Sequence, residues 1–231
     1  MCGRYTLTKP AKSIQSHFGQ IEFNFEHRER YNIAPTQECP VIAVQQGNRQ
    51  LLAMRWGLVP PWARDETMAA KMINARAETV QEKPSFKQSF KTKRCLVPAD
   101  GFIEWKKTAS GKQPHYFTRK GKGLFAFAGI WSEWEKDGVL LWTFSLITTA
   151  CNALVQPIHH RMPVILAPDD YETWLNAAFD AKTLQSLLTP FPANLMEMIA
   201  VSQEINSAKN DRMECLQRTV PQETQPLLFP E

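Results

Sequence analysis

The stretch from Cys39 to Met54, CPVIAVQQGNRQLLAM, decides the fold class. A β-rich run from Cys39 to Gln46 is followed by Gly47-Asn48 and then by a second apolar run that ends at Met54. Two such runs joined by a short turn that contains glycine predict a β-hairpin.

Short β-rich runs continue beyond this hairpin, and glycine-containing turns separate several of them. They are Arg94–Pro98, Gly101–Lys106, His115–Arg119, Leu124–Trp131, Val139–Thr148, Met162–Leu166 and Met196–Val201. The helix candidates are fewer and short: Ala11–Phe18, Ala75–Gln81 with Asn74 as its cap, Asp169–Ala177 and Ala181–Leu188. Because strands and helices do not alternate regularly, we expect an α+β fold. Its mostly antiparallel or mixed strands should curl into a barrel-like core with short flanking helices.

Composition is that of an ordinary globular protein. The chain has 231 residues, of which 43% are hydrophobic and 22% are charged, and its formal net charge is +4. These values exclude a disordered, collagen-like or coiled-coil chain. With no linker rich in Gly, Ser or Pro, we expect a single domain over residues 1–218 and a flexible tail over residues 219–231.

The cysteines and the apolar runs bear on the compartment. The five cysteines are far apart and odd in number, and none forms a CxxC pair, which argues against a disulfide scaffold or a zinc knuckle. The N-terminus has no apolar signal-peptide core, and no apolar run is long enough to span a membrane. We therefore expect a cytoplasmic protein without metal, cofactor or membrane contact.

Cys2 directly follows the initiator methionine. If Met1 is removed, Cys2 carries a free α-amine with a pKa of about 8 and a thiol with a pKa of about 8.5. An aldehyde can condense with the amine to an imine, and the thiol can then add to the imine carbon and close a five-membered thiazolidine ring. This second step is intramolecular and has a high effective molarity. Position alone favours the simpler interpretation, in which Cys2 is an early residue of the first strand.

Three further segments carry polar residues suited to chemistry. In the apolar strand GFIEW, alternation places Glu104 on the face opposite its neighbours, where a cleft would raise its pKa. An exposed Glu on a half-buried strand fits the sequence equally well. The segment Ile158–Pro163 combines two histidines, one of which can move protons, with Arg161, which can hold a phosphate or a carboxylate. Taken alone, Asn74 and Arg76 are only a helix cap and a solvated arginine.

Two loop segments combine tryptophan with proline: YNIAPT at residues 31–36 and WGLVPPW at residues 56–62. An exposed tryptophan beside an arginine suits base stacking in single-stranded nucleic acid. Tryptophan lies more often in a protein core, and that interpretation prevails without other evidence.

Together these segments resemble one family, the SOS response-associated peptidase (SRAP) family of abasic-site processing proteins. The match runs in order from residue 2 to about residue 201, and the ordered set is far more specific than any single motif. In chain order the matching motifs are CGRY at 2–5, YNIAPT at 31–36, WGLVPPW at 56–62, NARAET at 74–79, RCLVPA at 94–99, GFIEW at 101–105, AGIW at 128–131, TTA at 148–150 and HHRMP at 159–163.

The resemblance implies the SRAP fold, with strands curled around a core and a positively charged groove. It implies that Cys2, exposed by removal of Met1, captures an abasic site in single-stranded DNA as a thiazolidine, and that Asn74, Glu104 and His159 are catalytic. His159 is chosen over His160 because the family pattern is His, one residue, then Arg-Met-Pro. The intervening residue is often acidic in the family, whereas here it is His160.

The resemblance also implies how DNA is held. Arg4, Arg76 and Arg161 would be groove arginines that bind phosphates, and Pro35, Trp56 and Trp105 would stack on or wedge beside bases. We expect a monomer that binds abasic single-stranded DNA, is nucleoid-associated when bound, and has possible AP-lyase, crosslink-reversal and Met1-removing activities.

Two other functions remain open at this point. One is a cysteine-type peptidase or N-terminal-nucleophile hydrolase that uses Cys2, Glu104 and His159. The other is a non-catalytic module that binds single-stranded DNA, which would retain its function after Cys2→Ala.

Overall fold

The strands and helices of the chain are short and numerous. The computed structural model describes residues 2–24, 26–109 and 111–219. The strands are β1 (Tyr5–Leu7), β2 (Glu22–Phe23), β3 (Arg30–Ile33), β4 (Glu38–Gln45), β5 (Asn48–Trp56), β6 (Asn74–Arg76), β7 (Arg94–Ala99), β8 (Gly101–Thr108), β9 (Gly111–Arg119), β10 (Phe125–Lys136), β11 (Val139–Ala150), β12 (Arg161–Pro163), β13 (Ile165–Leu166) and β14 (Met196–Ala200). The helices are α1 (Ala11–Phe18), α2 (Pro84–Thr92), α3 (Tyr171–Leu175) and α4 (Ala181–Ser186), and short 3-10 turns connect several elements.

Five strands close into a barrel, which confirms the predicted α+β fold with a barrel-like core. The hydrogen-bonded order β11-β10-β7-β4-β5 is antiparallel throughout, and β5 then pairs in parallel with β11. This last pairing joins Arg55 to Thr143 and Trp56 to Phe144. Every residue of β7 is buried, as expected of a strand covered on both faces.

A second sheet of five strands, in the order β14-β9-β8-β1-β3, packs against the barrel. Tyr5 of β1 lies edge-on to two barrel residues, with ring centroids 5.2 Å from Trp56 and 5.8 Å from Phe127. Phe102 of β8 lies 6.3 Å from Phe127, again edge-on. These contacts place the start of the chain and β8 beside the barrel.

The hairpin that decided the fold class is present as β4 and β5. Its turn lies one residue earlier than the sequence predicts, because Gln45 pairs with Asn48 and the central residues are Gln46 and Gly47. Both residues have positive φ, 52° and 83°. Two-residue turns with positive φ at both central positions match the twist of the strands that they connect.

The helix predictions were partly wrong. The predicted helix over Ala75–Gln81 does not form, and Asn74 is not a cap, because residues 74–76 pair as β6 with β11 and turns follow. The sequence reasoning missed α2, although Pro84 stands in its first turn and Phe86 and Phe90, four residues apart, are both buried. The predicted helix over Asp169–Ala177 is shorter and consists of a 3-10 turn followed by α3.

Other elements agree with the sequence within a few residues. Helix α1 has the predicted bounds, and α4 is capped by Asp180, whose carboxylate accepts hydrogen bonds from two backbone N–H groups. The late strand Met162–Leu166 is divided into β12 and β13. Of the predicted tail, residues 220–231 lie outside the described residues. In the part of the chain that the structure describes, no helix is long and apolar enough to cross a membrane.

Candidate active site

The four residues predicted to be catalytic come from four separate parts of the chain. Cys2 precedes β1, Asn74 begins β6, Glu104 lies in β8 and His159 precedes β12. Strand β11 gathers two of these elements, since β6 pairs with it in parallel and β12 pairs with it antiparallel. Strand β1 pairs with β8, and the Ile103 N–H donates to the Arg4 carbonyl at 3.0 Å. The site therefore lies where the barrel and the second sheet meet.

Cys2 is fully buried. Its carbonyl oxygen accepts a hydrogen bond of 2.9 Å from Asn74 Nδ2, and its Sγ lies 3.6 Å from the Arg4 carbonyl oxygen, to which the thiol donates. Burial raises the pKa of the Cys2 thiol far above its ordinary value, and the negative charge of Glu104 raises it further. The resting sulfur is consequently a thiol and not a thiolate.

The side-chain amide of Asn74 uses its nitrogen in a hydrogen bond, whereas its oxygen has no partner among the described residues. Its Nδ2 is engaged by the Cys2 carbonyl, which sets the orientation of the side chain. Its Oδ1 is buried and has no hydrogen-bond partner among the described residues. A buried acceptor without a donor costs free energy, so this oxygen is ready to accept a hydrogen bond from a bound molecule.

Glu104 is 5% exposed. Burial raises the pKa of its carboxyl to about 7, while the positive charge of the chain's amino terminus and the backbone N–H of Trp105 act in the opposite direction. The direction agrees with the sequence expectation of a carboxylate in a cleft. Near neutral pH both the acid and the base form of Glu104 are populated, as general acid–base catalysis requires.

His159 shares a cavity with Glu104. The cavity has a volume of about 430 Å³ and is lined by Glu104, Trp105, Lys107, Lys112, His159 and Asn206. His159 Nδ1 lies 2.9 Å from the Arg161 backbone nitrogen and 3.2 Å from the Arg161 carbonyl oxygen, so the backbone of Arg161 fixes the orientation of the ring. Burial lowers the pKa of His159, and the positive amino terminus lowers it further. The ring of His160 stacks on His159 with centroids 4.5 Å apart.

The predicted groove arginines differ in how strongly the protein engages them. Arg161 forms a two-pronged ion pair with the Glu78 carboxylate, at 2.5 and 2.8 Å, and also donates to the Thr148 carbonyl. Arg4 is half-buried and donates to Asn32 Oδ1 and to the Ile205 carbonyl. Arg76, on β6, is exposed. Of these three arginines, only Arg76 therefore presents a readily accessible guanidinium.

Of the three residues predicted to stack on bases, Trp56 is the one for which the prediction is wrong. It is fully buried against Tyr5, and its indole N–H donates to the Ile73 carbonyl at 2.8 Å, so its ring cannot meet a base. Trp105 is partly exposed beside the cavity and donates to Asn206 Oδ1 at 2.7 Å. Pro35 is half-buried in the turn after β3.

The sequence reasoning missed a residue that holds the wall of the site together. Asn32 is fully buried, and its Nδ2 donates to the carbonyls of Ile205, Ser207 and Asn210. Its Oδ1 accepts from Arg4, so one amide joins β3, the start of the chain and the segment 203–211. The only signal in the sequence was a lone asparagine inside the apolar run YNIA.

A larger cavity, of about 720 Å³, lies around Asp100 and Tyr116. It contains none of the residues predicted to be functional. The hydrogen bond between Asn74 and Cys2, the charge of Glu104 at the Cys2 thiol and the cavity that Glu104 shares with His159 mark the candidate site better than cavity size does. The structure thus defines a β-barrel protein whose second residue, a cysteine, is hydrogen-bonded to Asn74 and feels the charge of Glu104.

Comparison with known proteins identifies the class. A family model described as SOS response associated peptidase (SRAP) matches residues 1–208. A Bacillus subtilis protein named abasic site processing protein YoqW is 44% identical over 222 residues, which is 94% of this chain and 99% of that protein. The chicken protein named abasic site processing protein HMCES is 37% identical, over 94% of this chain and 77% of its own length.

A solved structure has the same architecture. The crystal structure of a protein from Bacteroides thetaiotaomicron superposes with a TM-score of 0.83 at 30% identity, and the match covers 95% of this chain and all of that one. The chain belongs to the SOS response-associated peptidase family.

Proposed function

We propose that this protein processes abasic sites in single-stranded DNA by capturing them covalently on Cys2, after Met1 has been removed. The observation that carries the proposal is the arrangement of Cys2, Asn74 and Glu104 around the start of the chain, with His159 in the same cavity as Glu104. Relatives of similar length are named abasic site processing proteins, which supports DNA with abasic sites as the substrate.

The chemistry has two steps. The ring-opened sugar of an abasic site presents an aldehyde, and the Cys2 amine attacks it to give a carbinolamine that loses water and becomes an imine. The Cys2 thiol then adds to the imine carbon, so that a sulfur–carbon bond forms and the thiol proton is transferred to the nitrogen. The product is a five-membered thiazolidine, and both groups that form it belong to one residue.

Glu104 has the pKa for the proton transfers in both steps. In its acid form it protonates the carbinolamine oxygen that leaves as water, and in its base form it receives the thiol proton before the nitrogen does. The same group, acting in reverse, would open the ring and release the DNA. A pKa of about 7 keeps both forms available at neutral pH.

Asn74 and His159 would orient the sugar. The free Oδ1 of Asn74 accepts a hydrogen bond from a sugar hydroxyl or from the Cys2 amine, because its Nδ2 is already fixed by the Cys2 carbonyl. The imidazole of His159, held through Nδ1 by the Arg161 backbone, would form a hydrogen bond with the sugar through Nε2. Abstraction of the sugar C2′ proton at the imine stage would expel the 3′ phosphate, which is the AP-lyase reaction.

The raised pKa of the Cys2 thiol argues against the peptidase alternative. A cysteine peptidase attacks with a thiolate, whereas burial and Glu104 both disfavour the thiolate here. Capture of an aldehyde begins with the amine and needs the sulfur only after an electrophilic imine is in contact with it. Hydrolysis of the Met1–Cys2 bond remains compatible with this site as a single maturation step.

The experiment uses two substrates and a blocked N-terminus. The protein is mixed with abasic single-stranded DNA or with unstructured peptides, and the products are separated on denaturing gels. We expect a DNA adduct, no peptide cleavage and no adduct when an uncleaved tag precedes Cys2. Peptide cleavage without an adduct would establish the peptidase, and an unchanged adduct in the tagged protein would show that the α-amine is not the nucleophile.

A further inference from the structure

The β8–β9 hairpin places two lysines directly opposite each other beside the cavity. Lys107 of β8 and Lys112 of β9 are partners in the antiparallel ladder, and both are exposed. Partners in such a ladder point to the same face of the sheet and lie within reach of each other. Two like charges in this position are unfavourable unless something of opposite charge lies between them.

Among the described residues, the ion pairs are formed by Lys93 and by arginines. Neither Lys107 nor Lys112 has an acidic partner there. Lys107 and Lys112 instead line the same cavity as Glu104 and His159. Two cations therefore share the rim of the candidate active site without an ion pair to any described carboxylate.

The hairpin is held in position at this rim. Trp105, on the same face of β8 as Lys107, donates to Asn206 Oδ1, and Gln203 Nε2 donates to the carbonyl oxygen of Lys112 at 3.1 Å. Gln113 Nε2 donates to the Val201 carbonyl at 3.0 Å. The hairpin is thus anchored to the segment that follows β14, and this fixes the backbone of both lysines beside the cavity.

We propose that Lys107 and Lys112 form a phosphate-binding site that holds a backbone phosphodiester of a nucleotide flanking the abasic residue. The proposal rests on the proposed function, which puts the abasic sugar at Glu104 and His159. Lys107 lies three residues beyond Glu104 along β8, roughly 10 Å at about 3.4 Å per residue. At this distance the pair contacts a flanking phosphate and not the reacting sugar. One phosphate between the two ammonium groups relieves their repulsion.

The test separates binding from chemistry. Single-stranded DNA that carries a tetrahydrofuran analogue of the abasic site lacks the aldehyde, so its affinity reports binding alone. For Lys107→Gln/Lys112→Gln we expect weaker binding and a less steep dependence of log affinity on log salt, by about 0.7 for each phosphate that the variant no longer neutralises. The matched control is Lys87→Gln/Lys91→Gln on α2, which changes the net charge equally and touches no cavity residue. We expect the control to keep the wild-type slope.

A second variant excludes loss of folding as the explanation. Lys107→Glu leaves Lys112 in place and makes an opposite-charge partner for it, so we expect weaker DNA binding together with an unchanged or higher thermal midpoint. A salt slope that equals the wild-type slope in the double variant, or that falls equally in the control, would overturn the proposal.

The crosslink yield distinguishes a failure of the phosphate-binding site from a failure of the proposed function. At a DNA concentration below saturation the double variant should give less crosslink than the wild type, whereas the control Lys87→Gln/Lys91→Gln should give the wild-type yield. If the wild type crosslinks normally and the slope does not change, the lysine site alone is wrong. If the wild type forms no crosslink but the double variant still loses affinity and slope, the proposed function fails and the phosphate site stands.

Discussion

The amide of Asn32 offers a quantitative test of how the site wall is held. Asn32→Ala removes the two N–H protons shared among the carbonyls of Ile205, Ser207 and Asn210, at 3.2, 2.9 and 2.7 Å, and the oxygen that accepts from Arg4 at 3.0 Å. Two donated bonds and one accepted bond, at a net value of about 1 kcal/mol each, give an expected loss in the free energy of unfolding of about 3 kcal/mol. That is a large part of the roughly 5–15 kcal/mol that stabilises a typical domain.

The assay is urea denaturation, combined with hydrogen exchange of the backbone amides over residues 203–211. These amides should exchange faster in the variant, since the amide of Asn32 no longer fastens the segment. The matched control is Asn24→Ala, which removes one exposed side-chain hydrogen bond to Gln50 and should cost less than about 0.5 kcal/mol. A loss below about 1 kcal/mol for Asn32→Ala, with unchanged exchange over 203–211, would refute this account.

Three further substitutions test other parts of the structure. The pKa of Glu104 rises from 4.5, its ordinary value, to about 7 in the folded protein. The stability that this shift contributes is fully present below pH 4.5 and is lost as the pH rises through about 7. The thermal midpoint of the wild type should therefore fall relative to that of Glu104→Gln over this interval. Gly101→Ala should destabilise the protein by about 1–3 kcal/mol in urea denaturation, because its methyl group would overlap the ring of Tyr116. Glu78→Gln removes the carboxylate that engages Arg161, and the freed guanidinium should raise the affinity for single-stranded DNA at low salt.

Each of these predictions has a control and a contrary outcome. A constant difference in midpoint between wild type and Glu104→Gln from pH 4.5 to 7 would mean that the carboxyl is not perturbed. Gly123→Ala, where the added methyl group meets no atom within 4 Å, should leave stability nearly unchanged. Glu82→Gln makes the same charge change at an exposed site, so an equal gain in affinity there would show that Arg161 is not involved.

Local patterns in the sequence predicted the parts of the fold that depend on neighbours in the chain. The β4–β5 hairpin could be predicted because its two apolar runs and its turn lie within one short stretch. A barrel-like core could be predicted, but not which strands close it, since the pairing of Trp56 with Phe144 joins residues far apart in the sequence. The helix predicted from Ala75 failed for the same reason, because pairing with β11 outweighs the local propensity of that segment.

In the candidate site, too, motifs indicate individual residues, whereas burial and pairing depend on the whole fold. Motifs pointed to Cys2 and Glu104 as candidates. Strand alternation left Glu104 either in a cleft or exposed, and only the structure shows that it is buried, which raises its pKa. The motif that contains Trp56 gave no sign that its ring is fully buried, since exposure depends on the whole fold. Lys107 and Lys112 lie outside the predicted strands Gly101–Lys106 and His115–Arg119, so nothing in the sequence indicated that they pair.

The central claim is that Cys2 supplies both the amine and the sulfur that capture the abasic aldehyde. The most direct test compares wild type with Cys2→Ala, both with Met1 removed, on abasic single-stranded DNA with and without borohydride. We predict that the wild type gives an adduct stable to denaturation without reductant, and that Cys2→Ala gives one only when borohydride reduces the imine. An equally stable adduct from Cys2→Ala without reductant, or no adduct from the wild type, would contradict the account.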